Sequence, residues 1–272
     1  MYKVILITGA SAGMGKATAK QLIADGHIVY GAARRVENMH DLVELGGHAL
    51  KLDVSNSADI ENAVNEIIEE HGKIDVLINN AGYSVYGAVE NVSEEDAKRQ
   101  FDVNLFGAAA LAKKVIPSMR ANNSGHIINV TSIGGKIGVP LGAWYHASKH
   151  ALEGLSDSLR MELGQFGIKV SIIEPGAINS EFAEVMNEPM IKRTQGTVYE
   201  QLMNGIIRAN KKTYDGSPST KPEVIAKVIS KAVASKRPKT RYVAGKMAKT
   251  TLFMRRWLSD EWFDKMLLSM FK

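Results

Sequence analysis

Residues 4–15 read VILITGASAGMG, a short apolar run that leads directly into a turn with three glycines. The apolar run predicts a buried strand, and the residues after it predict a helix over 14–25. A strand, a glycine turn and a helix in this order form the context of a dinucleotide site, where the helix N-terminus faces the phosphates. Gly9 permits the tight turn, Gly13 lets the backbone approach a pyrophosphate, and Gly15 lets the helix pack closely on the strand. A merely flexible turn is the alternative, and three glycines at this junction argue against it.

A second pattern places a tyrosine and a lysine four residues apart, at Tyr145 and Lys149. In a helix this spacing puts both side chains on the same face, one turn apart. A phenol is a poor base at neutral pH because its pKa is about 10, and a neighbouring ammonium favours the phenolate. Ser132 follows the apolar run 126–131, so its hydroxyl is expected at the carboxyl end of a buried strand, where open α/β sheets bind ligands. By itself, the tyrosine–lysine pair is also common on ordinary amphipathic helices.

Residues 79–82 read NNAG and follow the apolar stretch 74–78, which predicts another buried strand. Small residues at this point let the chain pass close to a flat ligand. These residues, the TGASAGMG run at 8–15 and the tyrosine–lysine pair with its upstream serine together resemble the short-chain dehydrogenase/reductase family. The motifs follow one another in the family's order and at the expected intervals, and the resemblance covers roughly residues 3–186.

The resemblance implies a role for each member of a catalytic set made of Asn104, Ser132, Tyr145 and Lys149. Tyr145 would donate a proton to the substrate oxygen or accept one from it, and Ser132 would hold that oxygen. Lys149 would bind the nicotinamide ribose and lower the pKa of the tyrosine. Asn104 resembles the family's asparagine that holds a helix bend and a water, although a helix-capping or buried asparagine is a fair alternative. The cofactor-binding residues expected from the resemblance are Gly9, Ser11, Gly13, Met14, Gly15, Arg34, Asp53, Val54, Asn80, Ala81, Gly82, Tyr145, Lys149, Pro175, Gly176 and Ile178.

The end of the second predicted strand, 27–33, bears on the choice of cofactor. An NAD enzyme usually places a carboxylate at this point to bind the adenosine ribose hydroxyls. Ala33 stands where the resemblance puts that acid, and Arg34 follows it. Because a guanidinium matches a 2′-phosphate bidentately, we expect NADP(H) rather than NAD(H). Two alternatives stay open: Arg34 could simply cap the next segment, and Asp53, expected at the adenine ring, could cap the turn that follows it.

Predicted strands and helices alternate along the chain. This alternation argues for a parallel sheet with helices on both faces, an α/β fold of three layers. The resemblance implies that the sheet is doubly wound and Rossmann-like, with the site at the topological switch point. We expect a single dinucleotide-binding catalytic domain over 1–272, with 177–220 as a lid over the substrate and 246–272 as a helical C-terminal tail. The strands are expected near 3–8, 27–33, 48–53, 74–78, 125–131, 168–174 and 241–244, and the helices near 14–25, 57–71, 94–120, 143–165 and 222–235.

Composition narrows the class of protein. The chain has 272 residues, 45% of them hydrophobic, and no cysteine, which excludes disulfides and thiolate chemistry. We expect neither a metal site nor a nucleic-acid partner. The first residues lead directly into a strand, and no apolar run approaches the roughly 20 residues of a membrane-spanning helix, so we expect a cytoplasmic protein.

The positive charge is concentrated near the C-terminus. The chain carries a formal net charge of +5, and the segment 227–256 contains ten Lys or Arg residues and no Asp or Glu. A solvated face or a contact between subunits is the simpler interpretation. Attraction to an anionic substrate group or to a membrane surface is the alternative. The tail 246–272 also carries apolar residues at helical spacing, which favours docking on the body or on a second subunit of a homodimer or homotetramer.

Taken together, the motifs predict an NADP(H)-dependent oxidoreductase that interconverts a ketone or aldehyde and an alcohol. Its small-molecule substrate is expected to be apolar, of a lipid-like, steroid-like or acyl type. A catalytically silent NADP-binding regulator of the same fold is the alternative from another class. The complete serine, tyrosine and lysine set argues against it, because a regulator needs no proton donor.

Overall fold

Seven parallel strands form one sheet in the computed structural model, which describes residues 2–179, 182–214 and 220–271. The order across the sheet is β3-β2-β1-β4-β5-β6-β7. Because the direction of winding changes between β1 and β4, the topological switch point lies at the carboxyl ends of these two strands. This order confirms the doubly wound α/β fold predicted from the sequence. The strands are β1 (Val4–Thr8), β2 (Ile28–Ala33), β3 (His48–Lys51), β4 (Val76–Asn79), β5 (Gly125–Val130), β6 (Ile168–Pro175) and β7 (Arg241–Ala244).

Helices cover both faces of this sheet. Strand β1 shows the cause, because successive side chains of a strand point to opposite faces. Val4 and Leu6 join an apolar cluster with α3 and α5, whereas Ile5 and Ile7 join a second cluster with α1 and α9. The helices are α1 (Gly13–Ala24), α2 (His40–Glu44), α3 (Ser57–His71), α4 (Glu94–Phe101), α5 (Gly107–Ala121), α6 (Ala143–Leu163), α7 (Phe182–Thr194), α8 (Glu200–Tyr214), α9 (Pro222–Ala234), α10 (Ala248–Trp257) and α11 (Asp260–Ser269).

The segment predicted as a helix over 94–120 is helical, but a π-helical turn at Asp102–Phe106 divides it into α4 and α5. A π-turn accommodates an extra residue and widens the helix locally, and such turns often occur at functional sites. Its central residue, Asn104, is buried and bonds the backbone of a neighbouring loop, which local helix propensity does not reveal. Gly107 ends the turn where a Cβ would lie 2.5 Å from the Val54 carbonyl oxygen.

The segment 177–220 contains two helices, α7 and α8, that the sequence analysis did not predict. Helix α8 carries Gly205 in its middle, which reduces helix propensity and obscures the pattern. The structure explains this glycine, because a Cβ there would collide with the Phe271 carbonyl oxygen of the C-terminal tail. Residues 180–181 and 215–219 of the predicted lid lie outside the described residues, and the lid itself stays a prediction.

The tail predicted over 246–272 forms the two short helices α10 and α11 in its described part. Phe263 and Leu267 of α11 are buried against Ile137, in the segment that follows Ser132. The tail therefore docks on the body of this same chain, close to the predicted site.

In the described part of the chain, no helix is both long enough and apolar enough to cross a membrane.

The basic segment 227–256 extends over α9, β7 and α10, and both helices pack against β7. Arg241 is not solvated like a surface arginine, because its guanidinium pairs with Glu153 at 3.0 Å and with Asp157 at 2.7 Å. At least one of the ten basic residues is therefore held by ion pairs within the chain.

A buried chain of hydrogen bonds connects β4, β5 and α6. Asn79 lies opposite Asn129 in the sheet register, and its side-chain amide donates to the Asn129 carboxamide oxygen at 2.9 Å. The Asn129 amide in turn donates to the Ser156 hydroxyl at 2.8 Å. These bonds have a direction, so they align α6 with the strands more strictly than apolar packing can.

Asn129→Ala is expected to lower the free energy of unfolding by about 2–4 kcal/mol, because it leaves buried polar groups of Asn79 and Ser156 without this partner. Urea unfolding followed by circular dichroism measures the change. The control is Asn122→Ala, since that exposed side chain bonds only its own helix turn, at the Ser118 carbonyl. It should cost less than about 1 kcal/mol. Equal losses in the two variants would contradict the structural role of the buried chain.

Candidate active site

The carboxyl ends of β1 and β4 are joined by hydrogen bonds around Thr8 and Asn80. The Thr8 hydroxyl oxygen accepts from the backbone N–H of Asn80 at 3.1 Å and of Ala81 at 3.0 Å. The Asn80 side-chain amide donates to the Thr8 carbonyl at 2.9 Å. Gly15 touches both loops, because a Cβ there would collide with the Gly9 carbonyl oxygen and the Asn80 amide. The two glycine-containing motifs of the sequence therefore form one unit at the switch point.

Helix α1 begins inside this unit and turns its first N–H groups toward the sheet edge. Gly9 and Gly13 have φ of +69° and +53°, a left-handed conformation that favours glycine. Ala12, the N-cap residue, has no side-chain acceptor for the first N–H groups of the helix. An anion could accept from those groups at the positive end of the helix dipole. The cradle therefore fits a pyrophosphate, and Ser11 and Met14 lie in the same turn.

The structure brings the predicted serine, tyrosine and lysine to one end of α6. Tyr145 and Lys149 are both buried, and the Lys149 ammonium donates to the Val130 carbonyl at 3.0 Å, at the last residue of β5. Ser132 lies two residues further, and its Oγ accepts from the Gly134 N–H at 2.9 Å. Gly134 lies against the tyrosine ring, since a Cβ there would be 3.2 Å from Tyr145 Cε1. The three side chains thus come from one helix and the strand end beside it.

Burial changes the electrostatics of Lys149. Loss of solvent lowers the pKa of its ammonium to about 8, and the nearby carboxylate of Glu153 opposes this shift. A group with this pKa is still mostly protonated at pH 7, so the site contains a buried cation one helical turn from Tyr145. Such a cation favours the phenolate over the phenol, which makes proton exchange by the tyrosine easier.

Asn104 reaches the same place from the π-helical turn. Its side-chain oxygen accepts from the Tyr83 N–H at 3.1 Å, and its amide donates to the Tyr83 carbonyl at 3.0 Å and the Ser148 hydroxyl at 3.1 Å. Gly82 lies between the two side chains, because a Cβ there would be 3.1 Å from Asn104 Oδ1 and 3.5 Å from Lys149 Nζ. The asparagine thus lies beside the lysine, and it fixes the loop after residues 79–82.

The adenosine end of the predicted cofactor site lies at the ends of β2 and β3. Ala33 is buried and Arg34 is exposed. Asp53 accepts from the Ser55 N–H at 2.9 Å and from the Ser55 hydroxyl at 2.6 Å, so its side chain does cap the turn that follows. Burial would raise the pKa of Asp53, but these bonds and the charge of Arg34 hold it below its usual value. Val54, the next residue, is buried against the start of α5.

The turn after β6 carries the remaining predicted cofactor residues. The Gly176 N–H donates to the Ala244 carbonyl of β7 at 2.8 Å, and a Cβ on Gly176 would collide with the Lys246 carbonyl oxygen. Pro175 ends the strand directly before it. The Ile178 side chain is buried in the apolar cluster beneath α9, so a contact with the cofactor through this residue stays a prediction.

An apolar region adjoins Tyr145 on the side of α7, α8 and the tail. Tyr86 lies next to the tyrosine, with 6.0 Å between ring centroids. Three buried methionines of α7 and α8 and the ring of Phe271 complete the cluster. Methionine side chains are flexible and adapt to irregular apolar shapes. The methionines are Met186, Met190 and Met203.

The sequence analysis missed a group of buried charges behind the site. Glu153 and Glu174 are only 3% and 2% exposed, and both approach Arg241. Glu153 lies four residues after Lys149, so its position on the same helix face was readable from spacing, whereas its partners come from distant segments. In the described ranges, His, Asp and Glu side chains form no group that could hold a metal ion.

Comparisons with known proteins agree with this geometry. The family model described as short chain dehydrogenase matches residues 3–190. A 3-ketodihydrosphingosine reductase from Bacteroides thetaiotaomicron is 38% identical over 259 residues, which cover 95% of this chain and 94% of that protein. The crystal structure of a short-chain dehydrogenase from Streptomyces avermitilis has a TM-score of 0.82 and 32% identity, covering 93% of this chain and 92% of that one. A serine dehydrogenase complexed with NADP+ has a TM-score of 0.76 and 30% identity, covering 88% of this chain and 92% of that one. The chain therefore belongs to the short-chain dehydrogenase family of oxidoreductases.

Proposed function

We propose that this protein interconverts a ketone or aldehyde and an alcohol by hydride transfer with NADP(H). The observation that carries the proposal is the buried pair of Tyr145 and Lys149 beside Ser132, at the same sheet edge as the glycine cradle. The bound nicotinamide supplies the hydride or takes it up. The residues of the chain hold the substrate oxygen and move the proton.

Each side chain of the catalytic set has a task that its contacts support. Tyr145 donates its phenolic proton to the substrate oxygen during reduction and accepts it back during oxidation. Ser132 Oγ accepts from the Gly134 N–H, which leaves its own hydrogen available for the substrate oxygen. The Lys149 ammonium eases the ionisation of Tyr145 and lies within reach of the loop at Gly82, where the nicotinamide ribose would bind.

The preference for NADP(H) is supported by charge at the adenosine end. Arg34 is exposed directly after the buried Ala33, so a guanidinium is available where an NAD site usually has a carboxylate. A 2′-phosphate accepts two parallel hydrogen bonds from a guanidinium. A serine dehydrogenase of similar structure was solved in complex with NADP+, which is consistent with this assignment.

The substrate is proposed to be an apolar ketone of the lipid or acyl type. The buried cluster around Tyr86, Met190 and Met203 makes the surroundings of the proton donor apolar, and one relative is a 3-ketodihydrosphingosine reductase. A catalytically silent regulator would need neither the buried tyrosine nor the buried lysine, whose charge is costly to bury. The homodimer or homotetramer expected from the sequence stays a prediction; the apolar groove between α5 and α6, with Ile116 and Leu155 among its lining, is a candidate face for it.

A substrate screen that follows NADPH absorbance tests the proposal, with short ketones, acyl thioesters, steroids, retinoids and long-chain amino ketones. Tyr145→Phe should reduce turnover of any accepted substrate by at least about 100-fold, the scale of general acid catalysis, and leave NADPH binding nearly unchanged. Tyr2→Phe, a change at an exposed ring, is the control. Near wild-type turnover in Tyr145→Phe would remove Tyr145 from the mechanism, and NADPH binding without any turnover would favour the regulator.

Lys149→Met should weaken NADPH binding about tenfold or more and abolish turnover, yet make the folded protein more stable at pH 7. The folded pKa of about 8 lies below the unfolded value of 10.5, so the buried charge costs stability below pH 8, and this cost disappears as the pH rises toward 10.5. The pKa shift corresponds to a stability cost of about 3 kcal/mol, which the substitution removes. Loss of the hydrogen bond to Val130 lowers the net gain in stability by about 1 kcal/mol. Urea unfolding at pH 7 and pH 10 measures the gain, and Lys113→Met on the exposed face of α5 is the control. An unchanged NADPH Kd would contradict the ribose contact.

Arg34→Ala should raise the NADPH Kd by roughly ten- to a hundredfold, because a charge-assisted hydrogen bond contributes about 1.5–3 kcal/mol. The NADH Kd should barely change, since NADH lacks the phosphate. Paired titrations of both cofactors measure the effect. Arg237→Ala removes the same charge from an exposed site before β7, at the opposite end of the strands, and controls for net charge. A wild type that prefers NADH, or a mutant that loses both cofactors equally, would show that the NADP assignment is wrong.

A further inference from the structure

Glu153 continues the stripe of site residues along α6. It lies four residues after Lys149, which itself lies four residues after Tyr145, so the three side chains share one helix face. Its carboxylate is almost completely buried, with 3% exposure, and the mechanism above gives it no task. A buried carboxylate is costly unless several donors satisfy it, so its partners indicate what it holds.

Two of those partners lie on either side of Ser132. The Thr131 hydroxyl donates to Glu153 Oε1 at 2.7 Å, and the Lys136 ammonium pairs with Oε2 at 2.7 Å. Gly135, between Ser132 and Lys136, lies directly on the helix, since a Cβ there would be 3.0 Å from Glu153 Cγ. One carboxylate thus holds the chain immediately before the serine and again four residues after it.

The third partner is Arg241 of the edge strand β7. Its guanidinium donates to Glu153 Oε2 at 3.0 and 3.2 Å, and it also pairs with Asp157 of α6 at 2.7 Å. Arg241 Nε lies 3.5 Å from the carboxylate of Glu174 on β6. The network therefore connects the serine loop to the two strands behind it.

Glu174 is a second buried carboxyl group in this network, and it shares the Arg241 guanidinium with Glu153. Burial raises the pKa of Glu174 to about 7, the charge of Glu153 raises it further, and Lys136 and Arg241 oppose the shift. Below pH 7 Glu174 is mostly the neutral acid, which does not repel the Glu153 carboxylate. Above pH 7 two carboxylates face each other, because two adjacent carboxyl groups resist joint ionisation.

We propose that Glu153 is a positioning residue for Ser132, and that the buried Glu174, which shares Arg241 with it, makes this positioning depend on pH. The inference rests on the proposed carbonyl chemistry only in its effect on turnover. When Glu174 loses its proton, repulsion weakens the hold of Glu153 on Thr131 and Lys136, and the serine hydroxyl moves out of line with the substrate oxygen. A displacement of this kind costs kcat rather than cofactor affinity.

The test compares Glu153→Gln, Thr131→Val and Glu174→Gln with the control Glu162→Gln, an exposed glutamate on the same helix. Glu153→Gln should lower kcat about tenfold or more and change the NADPH Kd less than about twofold. Thr131→Val should also lower kcat, and its NADPH Kd should stay close to the wild-type value. Glu174→Gln is uncharged at every pH, so it should remove the wild-type loss of kcat near pH 7. The change of kcat near pH 8, which comes from the titration of Lys149, should remain.

Amide hydrogen exchange of the 131–136 segment gives a readout that needs no turnover. Between pH 6 and pH 8 its protection, corrected for the intrinsic rate, should fall in the wild type and stay constant in Glu174→Gln. Should Glu153→Gln fail to fold, the other two variants carry the test. Wild-type kcat in Thr131→Val, or the same pH dependence in Glu174→Gln as in the wild type, would overturn the proposal. If the wild type turns over no carbonyl substrate, the proposed function is wrong. The exchange data then still decide whether Glu153 holds the segment 131–136.

Discussion

The hydrogen bond from the Lys149 ammonium to the Val130 carbonyl is the contact on which the site depends. It joins α6, which carries Tyr145, to the end of β5, which leads into Ser132. The ammonium is buried, so losing this acceptor would leave a charge poorly compensated in a medium of low dielectric constant. Helix and strand are therefore held at one register, and the tyrosine and serine keep their relative positions. The same burial lowers the pKa of the lysine and places its cation beside the phenol.

Directional polar contacts, rather than apolar packing, align the elements around this point. The bonds from Asn80 to Thr8 join the two strands at the switch point, and the chain from Asn79 through Asn129 to Ser156 joins the strands to α6. Each of these groups would be costly to bury without its partner. A shift of one strand or of α6 by one residue would therefore break several of these bonds together. The apolar clusters on both faces supply most of the driving force for folding but tolerate small displacements.

The two sides of the site differ in character. The proposed cofactor side presents helix N–H groups and an exposed arginine, which suit phosphates. The proposed substrate side is apolar and includes the C-terminal tail, because Phe271 joins the cluster beside Tyr145 and Phe263 packs on Ile137 after Ser132. We therefore expect substitutions in the tail to affect the position of Ser132 through the segment that follows it.

The sequence by itself determined a parallel sheet with helices on both faces, because strand and helix periodicities and the glycine turn after β1 are local properties of the chain. The doubly wound order of the strands followed from the resemblance of its motifs to the family. It also determined that Tyr145 and Lys149 share a helix face, since a spacing of four residues is sufficient for that. Helices α7 and α8 and the π-helical turn at Asn104 were not predictable, because each is stabilised by contacts with distant residues that override local propensity. The contacts of the buried carboxylates were not predictable for the same reason. The spacing of four residues placed Glu153 one helical turn after Lys149. Only the tertiary structure decided that Arg241 and Glu174 lie beside it, because these contacts depend on how strands far apart in sequence come together.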